Sequence, residues 1–181
     1  LFRSPDIEIN LIVSDRYLDL VAEDIDIAIR YMPEANRTAL WQPLFQELIF
    51  PVYSPRYKAK TGLRRAGDLL EERLLYLSGR YRAEARWTHW FQQQGLNPPE
   101  ERAGVQVNTY INMLQAAIEG QGIALAGIPL VDRYLEDGSL KRIDDVKSVP
   151  RDWYFVTCRS DSKDALLFVS WLEKEMEVHS Q

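Results

Sequence analysis

Residues Ile7 to Val13, IEINLIV, alternate apolar and polar positions and then turn continuously apolar. That pattern predicts a strand whose far end is buried. Ser14-Asp15 follows, two residue types that cap helices, and RYLDLVAED sets Tyr17, Leu18, Leu20 and Val21 along a short helix. The next residues, DIDIAIRY, alternate strictly, with Ile25, Ile27 and Ile29 on one face and Asp24, Asp26, Ala28 and Arg30 on the other. Strand, helix and strand in about thirty residues have the length of a βαβ unit.

Beyond a polar loop from Pro33 to Thr38, LIFPVY (Leu48 to Tyr53) reads as a strand broken by Pro51. A proline cannot donate to a ladder, so this segment predicts an edge, a bend or a passage from one sheet to another. Ser54-Pro55 and Thr61-Gly62 mark loops, and Leu74 to Leu77 is a short apolar strand. Ala85 to Gln94 predicts a helix with Trp87, Trp90 and Phe91 on one face and Gly95 as its stop. Ala103 to Val107 is a strand leading into NTYINMLQAAIEGQGIAL, where Ile111, Leu114, Ala117 and Ile118 share a helical face. Gly120 suits the left-handed position after that helix, and Ile123 to Ala126 is the returning strand, which completes a second βαβ unit. Pro129 fits the first turn of a helix running through Leu130 to Leu135, and Asp137-Gly138 is a turn. Trp153 to Cys158 is a strand, and Ser162 or Asp164 caps a last helix with Ala165, Phe168, Val169, Leu172 and Met176 on one face. Two βαβ units on either side of a proline-bent strand predict an α/β fold in two lobes, with the chain crossing at Leu48–Tyr53 and returning near Trp153–Cys158.

Composition narrows this further. The 181 residues are 46% apolar and 27% charged, with a net charge of −5. This is the balance of an ordinary globular chain, and its acidity argues against nucleic-acid binding by the surface as a whole. The densest basic patch, Arg80, Arg82 and Arg86, is interrupted by Glu84 and reads as a solvated face. The single cysteine, Cys158, excludes an internal disulfide and fits a reducing compartment. It sits in an apolar strand and reads as a small buried hydrophobe. No apolar run is long enough for a membrane helix.

Catalytic chemistry finds no motif. His89 lies between two tryptophans on a predicted helix and His179 in a polar tail, and neither has neighbours at metal-ligand spacing. No nucleophile elbow is present to pair with His89. Gly120 and Gly122 precede a strand instead of following one, the wrong order for a phosphate cradle. We therefore expect no enzyme, no cofactor and no metal.

What remains is a pair of strand-to-helix junctions, Ser14-Asp15 and Asn108-Thr109. Ligands bind at the carboxyl ends of parallel strands, and a helix N-terminus favours an anion. If the lobes face each other, both junctions point into one cleft, with Arg30 and Tyr31 in reach. Simple helix capping explains each junction equally well taken alone, and Arg30 could instead pair with Asp24 or Asp26.

The stretch PDIEINLIVSDRYLDLVAEDIDIAIRY resembles the first effector lobe of LysR-type transcriptional regulators, with Asp24-Ile25-Asp26-Ile27-Ala28-Ile29-Arg30 in place of that family's D-D-L-A-I-R. ELIFPVYSPRY is similar to its crossing strand, NTYINMLQAAIEGQGIALAGIPLV to the helix and strand of its second lobe, and LLFVSWLEKEM to its C-terminal helix. AIRY together with WTHWFQQQGL most resembles the glycine-cleavage-activator-like subgroup.

The resemblance implies two Rossmann-like lobes joined by crossing strands, a type 2 periplasmic-binding-protein-like fold. Lobe I would be residues 1–51 plus 154–181 and lobe II 52–153, hinged at Pro51, Val52 and Trp153. It implies a small-molecule effector between the lobes at Ser14, Asp15, Arg30, Tyr31, Met32, Asn108, Thr109, Tyr110, Gly127 and Ile128, and the paired helix N-termini point to a carboxylate or amino acid. It also implies a cytoplasmic homodimer or homotetramer that touches DNA only through a helix-turn-helix ahead of Leu1, with no membrane contact. The first strand of lobe I and most of its helix would also lie ahead of Leu1, so the chain reads as a fragment of something longer. The alternative is a solute-binding receptor of a transporter with the same fold.

Overall fold

The computed structural model describes residues 7–14, 18–32, 37–60, 62–78, 86–98, 105–159 and 161–178. Asp15, Tyr17, Arg80, Arg82, His179 and most of the Pro33 to Thr38 loop fall outside them. The chain divides into two compact units, Leu1–Gln46 with Asp152–Gln181, and Glu47–Arg151. The division falls earlier on both connecting strands than the expected points at Pro51 and Trp153.

In the first unit β1 (Ile27–Met32) runs antiparallel to β7 (Val149–Cys158), with Ile27 opposite Cys158 and Met32 opposite Trp153. β2 (Gln42–Tyr53) starts in the same unit, where Phe45 stacks on Tyr154 at 4.6 Å between ring centroids. α4 (Lys163–Val178) is capped by Ser162, whose hydroxyl accepts from the Ala165 amide at 3.2 Å. It buries Ala165 and Val169 on the face that the sequence marks.

Two expected elements do not form. Residues 7–14 carry no regular structure, and Leu11 and Val13 are 80% and 79% exposed. An alternating pattern supplies the side chains of a strand but not its lateral hydrogen-bond partner, and a strand exists only by pairing. Within RYLDLVAED, residues 20–24 form turns in place of a helix. The Asp19 carboxylate accepts from the amides of Val21 and Ala22, and Asp24 adopts φ +50, which ends any helical path. A side chain that competes for local backbone amides is the standard reason Asp favours turns over helix interiors.

The second unit contains a parallel pair, β3 (Leu75–Leu77) beside β4 (Val105–Val107). A parallel bridge from Leu74 to Ile123 brings in β5 (Ala124–Ile128) on the other side. β5 then pairs antiparallel with β2, from Leu48 opposite Ile128 to Val52 opposite Ala124, and β6 (Lys141–Arg142) joins the end of β2. Pro51 does not break β2. Its fixed φ is compatible with extended backbone and it gives up only one amide donor, so the strand continues through it opposite Leu125.

α1 (Trp87–Gln93) buries Trp87, Trp90 and Phe91, and the Trp87 indole donates to the Leu75 carbonyl at 2.9 Å. Gly95 stops it at φ +75. α2 (Tyr110–Ile118) ends in a Schellman turn, with Gly120 at φ +73 donating to Ala117 and Gln121 to Ala116. Its buried face is Met113, Leu114, Ala116 and Ala117, whereas Ile111, expected inside, is 71% exposed. Tyr110 takes the inward position at that end, one helical residue round from Ile111. α3 (Asp132–Glu136) follows a turn at Pro129, starting later than the sequence suggests. Two apolar clusters fill this unit, one around Trp90, Phe91, Leu69 and Ile143, the other around Phe50, Met113, Ala124 and Leu140.

Candidate functional site

The three parallel strands of the second unit end side by side. β3 ends at Leu77 opposite Val107, the last residue of β4. Just beyond, the Ser78 amide donates to the Val107 carbonyl at 2.7 Å and its hydroxyl reaches the same oxygen at 3.2 Å. Asn108 and Thr109 come next on the chain, and Gly127 and Ile128 end β5. The carboxyl edge of a parallel layer is where the chain turns from strand to helix and where ligands of α/β folds bind.

Thr109 is the N-cap of α2. Its backbone is extended (φ −132, ψ 150) and its hydroxyl oxygen accepts from the Asn112 amide at 3.2 Å. Asn108, the other capping candidate, is exposed. The Tyr110 hydroxyl accepts from the Gly127 amide at 3.2 Å, tying the start of α2 to the end of β5.

Behind this tie lies a buried ion pair. Glu47, fully buried on β2, accepts from the Arg151 guanidinium at 2.6 Å, and the Arg151 side chain is 11% exposed. The other Glu47 carboxyl oxygen, Oε1, has no hydrogen-bond partner among the described residues. Burial pushes the Glu47 carboxyl above its usual range, while Arg151 and, less, the neighbouring Tyr110 hydroxyl pull it down. Gly127 is required for this closeness, because a Cβ there would lie 2.6 Å from Glu47 Cγ and 2.8 Å from the Leu48 carbonyl. The sequence reading missed Glu47, Arg151 and Ser78.

The remaining expected residues lie in the first unit or on the connecting strands. Arg30, Tyr31 and Met32 follow one another on β1. The Arg30 guanidinium donates to the Leu18 carbonyl and sits over the Trp41 ring at 5.2 Å. Asp24, one of its anticipated partners, is bound by Arg159 instead, at 2.8 Å. The Tyr31 hydroxyl accepts from the Asp152 amide at 3.3 Å. Ser14 lies in the exposed irregular segment, and Asp15 is outside the described residues. Pro51 and Val52 are buried in the β2–β5 ladder, and Trp153 pairs with Met32. The structure therefore joins Tyr110 to Gly127 by a hydrogen bond, with Thr109 capping the same helix, and sets Arg30 to Met32 in succession on β1 of the first unit.

A cavity of about 440 Å³ in the first unit is lined by Asp24, Asp26, Cys158 and Arg159, among others. Cys158 is half-buried rather than buried, and burial together with Glu173 holds its thiol up. Among the described residues no group of three or more His, Cys, Asp or Glu is placed to hold a metal ion, and no helix is long and apolar enough to cross a membrane.

Comparison with known proteins identifies relatives. A family model described as the LysR substrate binding domain matches residues 2–177. The HTH-type transcriptional activator AmpR of Pseudomonas aeruginosa is 31% identical over 99% of this chain and 60% of its own length. The glycine cleavage system transcriptional activator of Escherichia coli is 29% identical over 88% of this chain and 52% of its own. The chain thus spans about half to three fifths of the length of these relatives. Among solved structures, the effector domain of AmpR of Pseudomonas aeruginosa superposes with a TM-score of 0.74 at 28% identity, covering 96% of this chain and 83% of that one. The AmpR effector binding domain from Citrobacter freundii gives 0.76 at 24% identity, covering 96% and 85%.

Proposed function

The chain belongs to the LysR substrate-binding domain family, with the fold of that family's effector domains, and from this premise we propose that it senses a small-molecule effector for a DNA-binding transcriptional regulator. Its relatives are regulators, which favours this reading over a transport receptor and over catalysis. In the proposal, the whole protein is a cytoplasmic homodimer or homotetramer. DNA contact is made by a helix-turn-helix outside this chain.

The ligand proposed is a small carboxylate or amino acid at the carboxyl edge of β3, β4 and β5. Asn108, Thr109 and Tyr110 contact it, with Gly127 and Ile128 behind. One observation carries this. Thr109 caps α2 while Tyr110 is tied to the Gly127 amide, which sets a helix N-terminus firmly on that edge. The unsatisfied amides and partial positive charge of a helix start favour an anionic group. Ser78 adds a hydroxyl at the neighbouring strand end. Ser14, Arg30, Tyr31 and Met32 stay as candidate ligand contacts in the first unit. Binding shifts the domain's conformational balance only as far as the ligand's affinity differs between states.

A thermal-shift panel of small carboxylates and amino acids at millimolar concentration tests the ligand class. A member that binds raises Tm by mass action, and the shift is lost in Thr109→Ala. If no member stabilises an intact domain, the ligand class is wrong.

A further inference from the structure

We propose that the Tyr110 hydroxyl is a resident occupant of this effector site and that an α-amino acid displaces it, the ligand carboxylate taking the Gly127 amide and the ligand ammonium taking Oε1 of Glu47. The inference deepens the reading above, choosing the amino acid over the bare carboxylate, and rests on it.

Strand order gives the place. β3 lies between β4 and β5. Trp90 and Phe91 of α1, the helix from β3 to β4, cluster with Ile123 and Leu125. Met113 and Ala117 of α2, the helix from β4 to β5, cluster with Ala124 and Ala126, which alternate with them along β5. The two crossover helices therefore cover opposite faces of the layer. Where an open sheet is wound in both directions from one point, a crevice opens at the carboxyl ends of the strands there, and ligands bind in it. That point here lies between β3 and β5. Among the described residues these strands share one isolated bridge, Leu74 to Ile123, and run on to their ends without pairing to each other. Gly127 stands opposite Ile49 on β2, yet its amide donates to Tyr110. Amides along an antiparallel strand alternate between the ladder and the other edge, so the Gly127 amide points off β2, to the side of the crevice.

The hydroxyl fits this place only in part. It accepts at 3.2 Å, the long end of the ordinary range. Beside the same glycine, Glu47 Oε1 lies 3.0 Å from where a Cβ would stand. Glu47 is fully buried, Arg151 holds its other oxygen at 2.6 Å, and Oε1 has no hydrogen-bond partner among the described residues. Buried polar atoms are paired in the great majority of cases, and one that is not needs a reason. A donor and an unmet acceptor thus flank one residue that carries no side chain. An α-amino acid presents the converse pair on a single carbon, an anionic acceptor and a cationic donor. Bonds to ionised groups are about twice as strong as neutral ones, and the start of α2 favours the carboxylate further. A carboxylate without an amine would leave Oε1 unmet. Oε1 is closed to solvent, so the ligand reaches it as Tyr110 swings out.

The sign of one substitution separates an occupant from a ligand contact. Truncating a contact weakens binding, whereas truncating an occupant strengthens it. The 181-residue chain is titrated with glycine and with sodium acetate as wild type, Tyr110→Phe and Glu47→Gln, with the Gly127 amide followed by NMR. Bound glycine should shift that amide. Tyr110→Phe should bind glycine roughly fivefold more tightly, because the free protein no longer has the competing hydrogen bond. Wild type should prefer glycine to acetate by roughly tenfold or more, and Glu47→Gln should narrow that preference to about threefold or less. The wild-type preference needs no variant to fold, so it decides the part of Glu47 even where Glu47→Gln does not fold.

Equal or weaker glycine binding by Tyr110→Phe overturns the proposal. So does a wild type that binds the two probes alike, which leaves the carboxylate reading standing. A Gly127 amide unmoved by bound glycine places the ligand elsewhere and overturns it too. Glycine binding at Gly127 by Tyr110→Phe alone upholds the occupant. If neither probe binds either protein the proposal falls, and the preceding reading falls with it only when its full ligand panel also fails.

Discussion

Glu47 meets its surroundings with no solvent to moderate them, so its proton is a sensitive reporter. Burial raises the carboxyl above its ordinary 4.5, against the pull of Arg151 and Tyr110. The folded state then holds this proton to a higher pH than the unfolded chain does. Between 4.5 and the folded pKa the folded state carries more protons, so Glu47's contribution to stability falls as pH rises through that window. Asp68, Asp137 and Asp161 act oppositely, because hydrogen bonds hold them below 3.8 and their contribution is lost as pH falls. They titrate alike in wild type and Glu47→Gln and cancel in the difference. The Tm of wild type minus that of Glu47→Gln should therefore shrink as pH climbs from about 4.5 and level off above the folded pKa. A difference flat with pH would show that burial does not govern this carboxyl. None of this was legible in the sequence. Glu47 stands at the polar mouth of an apolar run, LIFPVY, where a carboxylate reads as the solvent end. Its partner Arg151 lies 104 residues away, beyond any local pattern. Gly127 and Tyr110 were reached only through the family resemblance, which matches motifs without saying what the residues touch.

The elements sort by whether their cause is local. α2 was readable except for Ile111 and the choice of cap: a capping pair in front, an apolar face through Leu114 and Ala117, and a glycine behind that takes φ +73. α1 was readable for the same reasons, from Trp87, Trp90, Phe91 and Gly95. Local sequence left open whether Asn108 or Thr109 caps α2, since both residue types serve equally well. The hydrogen bond from the Asn112 amide to the Thr109 hydroxyl decides it. Thr109→Ala should cost about 1 kcal/mol of stability and Asn108→Ala clearly less, as urea melts with a common m-value would register. Equal losses would place the cap elsewhere. Residues 7–14 failed because a strand's cause is not local. IEINLIV has the alternation, but nothing in seven residues says what would pair with it. Pro51 misled in the opposite sense: the residue type suggested a break, and the ladder to Leu125 and its neighbours carried the strand past it.

Across the molecule, apolar burial is uneven, and dynamics should follow it. Both apolar clusters lie wholly in the Glu47–Arg151 unit, with Trp90, Phe50 and Phe91 sealed from solvent. Among the described residues the other unit buries far fewer apolar side chains, chiefly Trp41, Phe155, Val156, Ala165 and Val169. It also leaves Ile9, Leu11, Ile12, Val13, Val21, Leu166 and Leu167 in water. Burial of apolar area is the main favourable term in folding, at about 25 cal/mol per Å², and conformational entropy opposes it residue by residue in both units. The unit with the thinner core therefore has the smaller surplus and should open on its own before the whole chain unfolds, as sub-global openings do elsewhere. Native-state hydrogen exchange at low denaturant gives the measurement. Amides of Ile29 and Tyr31 in β1 and of Val169 in α4 should exchange at least roughly tenfold faster than those of Trp90, Leu125 and Ala126. Their opening free energies should also respond less to denaturant, because a local opening exposes less surface than global unfolding. Matched rates and matched denaturant slopes in the two units would mean a single cooperative block, and would refute the reading that core content sets local stability here. If the rates do differ, effector binding at the α2 edge should slow exchange first within the Glu47–Arg151 unit. The effector's arrival could then be followed separately from the openings of β1 and α4.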